Sequence, residues 1–170
     1  GVDRVKLETK LGTLEVKEEN IIEFPLGLLG FSKYHRYIIV EREEGFFSFL
    51  QSVDEPALTF VIMIPELVCT EYSVKLDQKE IELLQLAAPG DGRVYGIVTV
   101  PDDPAEMTVN LQAPLVINIK ENLGAQIING EGFYRTKHNV LAEMHKNAFV
   151  EGKKLLKQEE AVSREISESV

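Results

Sequence analysis

The stretch Met107-Thr108-Val109-Asn110-Leu111-Gln112-Ala113-Pro114-Leu115-Val116-Ile117-Asn118 decides the fold class. Thr108, Asn110 and Gln112 alternate with Val109 and Leu111, so an extended chain presents hydroxyl and amide groups on one face and apolar groups on the other. Pro114 has no N–H to give to a ladder, which predicts that this strand stops at an edge or corner before a second strand over Leu115–Ile119. Outward from this point the same period recurs. Val5-Lys6-Leu7-Glu8-Thr9 and Thr13-Leu14-Glu15-Val16 flank Leu11-Gly12 and read as a hairpin with one wet face. Further strands are predicted over Ile21–Phe24, Arg36–Glu41, Phe46–Gln51, Leu58–Ile64, Tyr72–Leu76, Val94–Val100 and Ala125–Ile128. Turn chemistry separates them, notably Pro25/Gly27/Gly30, Asp54-Glu55-Pro56, Pro89-Gly90-Asp91-Gly92, Pro101-Asp102-Asp103-Pro104 and Gly124. About ten short strands at this spacing predict a mainly β protein, an antiparallel barrel or sandwich.

Two segments depart from the pattern. Asp77-Gln78-Lys79-Glu80-Ile81-Glu82-Leu83-Leu84 sets Ile81 and Leu84 three apart behind an Asp suited to capping, which reads as one short helix or a charged edge strand. From Asn139 to Val170 there is no Pro, and Val162, Ile166 and Val170 recur every four residues. This predicts a C-terminal helical tail, helical from about Asn139 to about Arg164 with Gly152 as a point of division, and frayed beyond. The chain therefore divides into a β domain over 1–138 and a partly disordered helical tail over 139–170.

Composition narrows the function classes. The 170 residues carry 18 Lys+Arg against 28 Asp+Glu, a net charge of −10. Only four basic and five acidic residues follow Val150, so the acidity belongs to the β domain. Such a surface argues against phosphate backbones and anionic lipid as direct partners. Leu, Val, Ile and Phe make up about a third of the chain, above the roughly 20% below which a core cannot form. No apolar run reaches the roughly 18 residues of a membrane span, and the first residues lack the apolar centre of a signal peptide, so a soluble, cytoplasmic protein is expected. Gly1 reads as the remnant of a cleaved tag.

Residue types that carry catalysis do not cluster in the sequence. His138 and His145 are seven apart, too far along a helix to share a metal without a third ligand. His35 is isolated, and the single cysteine, Cys69, reads as a small buried hydrophobe. Asp54-Glu55 and Asp102-Asp103 adjoin prolines and read as turn residues. Pro89-Gly90-Asp91-Gly92-Arg93 lacks the Lys-Ser/Thr and helix of a phosphate cradle. No catalytic residue, metal ligand or cofactor is expected. Leu26-Gly27-Leu28-Leu29-Gly30-Phe31, by contrast, is too apolar for an ordinary surface connection: it is either a plug folded onto the core or an exposed lip for a partner.

Four blocks resemble the flagellar assembly factor FliW family. They are Ile21–Phe31 with its Gly-Leu-Leu-Gly-Phe turn, the Leu50-Gln51-Ser52 strand with Pro56, the run Met107-Thr108-Val109-Asn110-Leu111-Gln112-Ala113-Pro114, and Gly124–Ile128 with Tyr134. The resemblance covers about residues 5 to 138, and the tail beyond Val150 departs from it. It implies a non-enzymatic regulator that binds flagellin in the cytoplasm. When flagellin is exported, the freed factor binds and antagonises the translational repressor CsrA, away from the repressor's RNA surface. A single-chain protein is expected, with Leu28, Phe31, Asn110, Leu111, Gln112, Pro114 and Gln126 as the partner-binding residues. The rival readings are a β-barrel small-ligand carrier or enzyme, and a nucleic-acid-binding barrel. The last suits the sequence least, since Phe46-Phe47-Ser48-Phe49 has no basic residue within it and two glutamates close before it.

Overall fold

A computed structural model describes residues 4–168; the reading of Gly1 as a tag remnant, and the Val170 end of the four-residue period, lie outside the described residues. β1 (Arg4–Thr9) and β2 (Gly12–Lys17) form the hairpin expected from their alternation, with Val5 opposite Val16. The Thr9 hydroxyl shapes its turn, donating to the Gly12 carbonyl at 2.9 Å and accepting the Leu11 N–H at 3.0 Å. The remaining strands are β3 (Ile22–Glu23), β4 (Arg36–Val40), β5 (Phe47–Ser52), β6 (Thr59–Met63), β7 (Gly92–Thr99), β8 (Thr108–Asn118), β9 (Leu123–Gln126) and β10 (His138–Asn139).

Strands β3 to β9 close into a barrel in sequence order, because β9 pairs with both β8 and β3. Closure removes the sheet edges that would otherwise be open to pairing. The β3–β9 contact is parallel, a departure from the all-antiparallel expectation, and consists of Glu23 beside Leu123 with the Glu23 N–H donating to the Asn122 carbonyl at 2.9 Å. β10 adds to β8 outside the ring. One core cluster fills the β3 end with Phe24, Tyr37, Leu50, Ile62, Leu115 and Ile117. A second gathers Met63, Val98, Met107, Val109 and Leu111 around Tyr72.

The closing seam depends on a missing side chain. A Cβ on Gly124 would lie 2.5 Å from the Phe24 ring, which itself packs edge-on against Tyr37 with centroids 5.3 Å apart. Phe24 is fully buried and has no room to retreat. Gly124→Ala should therefore cost about 1–3 kcal/mol through overpacking, read as a lowered thermal midpoint. An unchanged midpoint would show that the seam can shift without cost.

Helix α1 (Gln78–Leu83) forms where the Asp77 cap was read, rather than a charged edge strand. The Asp77 carboxylate accepts the Glu80 N–H at 2.8 Å while the Glu80 carboxylate accepts the Asp77 N–H at 2.9 Å. This reciprocal pair satisfies two N–H groups of the exposed first turn. Helix α2 (Val140–Glu168) runs unbroken through Gly152 and past Arg164, so the predicted division and fraying point are both corrected. The apolar period simply carries the helix on, and one glycine costs too little to end it.

Two strand expectations also change. Leu115–Ile119 is no separate strand: β8 continues through Pro114, which is buried and at no edge, since β8 pairs with β7 on one side and β9 on the other. Its missing N–H falls inside a bulge, so no ladder bond is lost there. Tyr72–Leu76 forms no ladder at all. Side chains bond part of its backbone instead, with Asn129 accepting the Lys75 N–H at 3.2 Å and donating to the Ser73 carbonyl at 2.9 Å, and the Tyr134 hydroxyl accepting the Ser73 N–H.

Candidate functional site

The Leu26–Phe31 loop leaves the barrel after β3 and is both plug and lip. Gly27 has φ +66°, and a Cβ there would meet the Ser32 backbone at 2.7 Å, so only glycine fits this turn. The Gly27 N–H donates to the Phe24 carbonyl at 2.9 Å and the Phe31 N–H to the Leu28 carbonyl at 2.8 Å. These turns aim neighbouring leucines in opposite directions. Leu28 is 2% exposed and joins the core, whereas Leu26 and Leu29 are 70% and 61% exposed. Phe31 is 39% exposed, with its ring edge-on to Phe60 at 5.3 Å between centroids.

On the other side of β9, the expected ladder of amides on β8 is interrupted. Asn110 pairs with Ile97 and Leu115 with Tyr95, so Leu111–Pro114 together face Gly96. Within this bulge the Asn110 Oδ1 accepts the Gln112 N–H at 3.1 Å and the Ala113 N–H at 2.9 Å. Asn110 is thus turned onto its own backbone. Leu111 is fully buried, its N–H donating to the Arg135 carbonyl and its carbonyl accepting the Tyr72 hydroxyl at 2.7 Å. The Pro114 carbonyl accepts the Ile127 N–H at 3.0 Å. Leu28, Leu111 and Pro114 are therefore removed from the surface predicted for partners, because the core takes their side chains, while Gln112 stands exposed.

Gln126 brings the loop and the bulge together. Its Oε1 accepts the Leu29 N–H at 2.9 Å and its Nε2 donates to the Ala113 carbonyl at 3.0 Å. The bracket ties the loop that bears Leu26 and Leu29 to the bulge that bears Gln112, and this rim runs on past half-buried Gln126 to Ile128, 63% exposed, whose neighbour Asn129 donates its N–H to the Gln112 carbonyl at 2.8 Å. Leu26, Leu29 and Ile128 were not among the predicted site residues. A loop without periodicity offers no signal for which of two adjacent leucines faces out. A second concavity of about 530 Å³, also missed, lies between Arg42, Phe46, Phe47, Ile64 and Arg93.

The titratable groups are arranged for structure. Among the described residues no group of three or more His, Cys, Asp or Glu could hold a metal ion. Burial pushes the Tyr37 hydroxyl up to about 12, and its oxygen has no hydrogen-bond partner among the described residues. Burial likewise pushes Tyr72 up to about 12, against the opposing hydrogen bond with Asn129. Burial, then the charge of Arg135, hold His138 below its usual range, and its Nε2 accepts the Arg135 N–H at 2.9 Å. A His whose folded value is depressed contributes stability above its unfolded value near 6.5 and loses it as pH falls through the folded value. The thermal midpoint should therefore drop below about pH 6.5 more steeply in the native chain than in a His138→Gln variant. Equal slopes would contradict this.

Residues 6–140 match the family model described as FliW protein. The chain belongs to the FliW family. A flagellar assembly factor FliW of Treponema pallidum is 38% identical over 141 residues, covering 82% of this chain and 94% of that protein. One from Alkaliphilus metalliredigens is 42% identical over 143 residues, covering 82% and 88%. A crystal structure of the flagellar assembly factor FliW superposes with a TM-score of 0.75 at 38% identity, covering 80% of this chain and 96% of that one. The residues that carried the resemblance to FliW mostly build the barrel. Buried Gln51 donates to the Ser52, Pro56 and Leu58 carbonyls and accepts the Thr59 hydroxyl, the Ser52 hydroxyl accepts the Glu55 N–H at 2.9 Å, and the Tyr134 hydroxyl accepts the Ser73 N–H at 3.3 Å. Among the described residues, no helix is long and apolar enough to cross a membrane.

Proposed function

We propose that this chain acts in flagellar assembly by binding flagellin in the cytoplasm before export and, once flagellin is gone, by binding and antagonising the translational repressor CsrA. The rim held by Gln126 carries this reading: Leu26 and Leu29 stand exposed on the loop it ties down, and Gln112 and Ile128 stand exposed on the strand ends it joins, on a closed barrel. An amphipathic segment of unassembled flagellin has an apolar face to hide, and such a rim with a few amides receives it as a helix in a groove. Phe31, Gln112 and Gln126 contribute from the surface, and Leu28, Asn110, Leu111 and Pro114 support them from beneath. The names of the relatives, flagellar assembly factors, support the same role.

The net charge of −10 suits the repressor arm. A strongly acidic body docked beside an RNA-binding surface opposes arriving phosphates over about one Debye length, roughly 8 Å at physiological salt. The chain would then act without catalysis, cofactor, membrane or direct contact with nucleic acid, through residues 1–138.

The test is a calorimetric titration of flagellin into the purified chain and into a Leu26→Ser/Leu29→Ser variant. Losing two exposed leucines from an apolar contact should weaken flagellin binding roughly 10- to 100-fold, with the thermal midpoint unchanged. Equal affinities would move the flagellin site elsewhere on the barrel. Absence of flagellin binding to the native chain, with a small molecule retained through purification, would favour the carrier instead.

A further inference from the structure

Helix α2 leaves the barrel with an apolar face uncovered. It is anchored only at its start, where Val140 is fully buried, Met144 packs against the second core cluster, and the Asn147 amide donates to the Leu67 and Val68 carbonyls at 3.2 and 2.9 Å. From Ala148 to Glu165 every residue except half-buried Gly152 is exposed. Ala148, Gly152, Leu155, Glu159 and Val162 follow the alternating four- and three-residue spacing of a helix-pairing seam, with Phe149 and Leu156 beside it. In proteins most helical stability comes from packing an apolar face, and this face has nothing packed on it among the described residues.

Charge along this helix is segregated. Past Glu143 in its anchored first turn, its basic half (146–157) carries Lys146, Lys153, Lys154 and Lys157 against Glu151, and its acidic half (158–168) carries Glu159, Glu160, Glu165 and Glu168 against Arg164. The internal pairing is slight, with Lys154 3.4 Å from Glu151 and the Lys153 ammonium 4.7 Å from the Phe149 ring centroid. A second copy laid antiparallel sets each basic half beside an acidic half, twice over. Laid parallel, it would set lysines beside lysines and glutamates beside glutamates.

From the apolar seam and this charge segregation together, we infer that α2 is a self-association surface, pairing antiparallel with α2 of a second copy of this chain. Gly152 fixes the register. The space above it is open, so Val162 of the second copy seats there, and Leu155 then packs along the stem of the second copy's Glu159. This departs from the single-chain expectation and stands independently of the flagellin reading, since it uses none of the rim residues.

Sedimentation equilibrium on the full chain, across micromolar to submillimolar concentrations at low salt, tests it. A reversible dimer is expected, weakening as salt screens the lysine–glutamate pairs. Leu155→Asp/Val162→Asp should abolish the dimer while the thermal midpoint of the barrel stays as in the native chain. For orientation, Gly152→Cys and Val162→Cys chains, each also carrying Cys69→Ser, are mixed and oxidised, and the disulfide should join position 152 of one to position 162 of the other. A monomer throughout, a dimer indifferent to the two aspartates, or a 152-to-152 disulfide as the main product would each overturn the inference.

Discussion

Replacing Gln51 by Leu should lower the stability of the barrel by about 2–5 kcal/mol, because removing the amide leaves buried polar groups unpaired. Gln51 is fully buried in β5, and its Nε2 spans the Ser52, Pro56 and Leu58 carbonyls at 3.0, 3.1 and 3.2 Å. The Leu58 carbonyl also accepts the Ser52 N–H, so the Pro56 carbonyl and the Thr59 hydroxyl bear most of the loss. Gln51 makes most of the side-chain hydrogen bonds in the turn between β5 and β6, with the Ser52 hydroxyl adding one to the Glu55 N–H, and leucine fills the volume of Gln51 without its donors. For a chain of this length the loss corresponds to a fall of roughly 5–15 °C in thermal midpoint. A fall of only a degree or two would mean that water reaches the turn and satisfies it.

Asn110→Ala should separate stability from binding. The side chain accepts two backbone N–H groups of the β8 bulge, and its loss should cost about 1–3 kcal/mol of stability. Flagellin affinity, measured at a temperature where the variant is folded, should stay at the native value, since the amide is spent inside the protein. The outcome that contradicts this is an unchanged midpoint with weakened flagellin binding, which would return Asn110 to the contact surface.

These two residues show what was legible beforehand and what was not. Alternation along Thr108–Leu111 and the Asp77 cap are local signals that tertiary structure left intact, so the β class and α1 could be read from them. Pro114 misled because its meaning depends on a partner strand: opposite Gly96 a bulge hides its missing N–H, and β7 and β9 carry β8 onward on either side. Asn110 looks the same in sequence whether it faces a partner or its own backbone. Tyr72–Leu76 alternates like a strand, yet its backbone bonds to the side chains of Asn129 and Tyr134, more than fifty residues away.

The same limit shaped the candidate site. Blocks that distinguish the FliW family proved informative about the fold because Gln51, Ser52, Asn110, Gln126 and Tyr134 each satisfy backbone groups. Residues left facing water, Leu26, Leu29 and Ile128, carry no local mark of exposure. Gln126 links the two categories: its amide, legible in the sequence as a polar group for a partner, holds the loop and the bulge together.

The most direct test of the partner switch is a displacement titration. Fluorescently labelled CsrA is bound to the full chain and flagellin is added while anisotropy is followed. Flagellin should release the repressor, with anisotropy returning to that of free CsrA as flagellin reaches one equivalent of the chain. Anisotropy that stays high through excess flagellin, or labelled CsrA that never binds the chain at the outset, would contradict the switch.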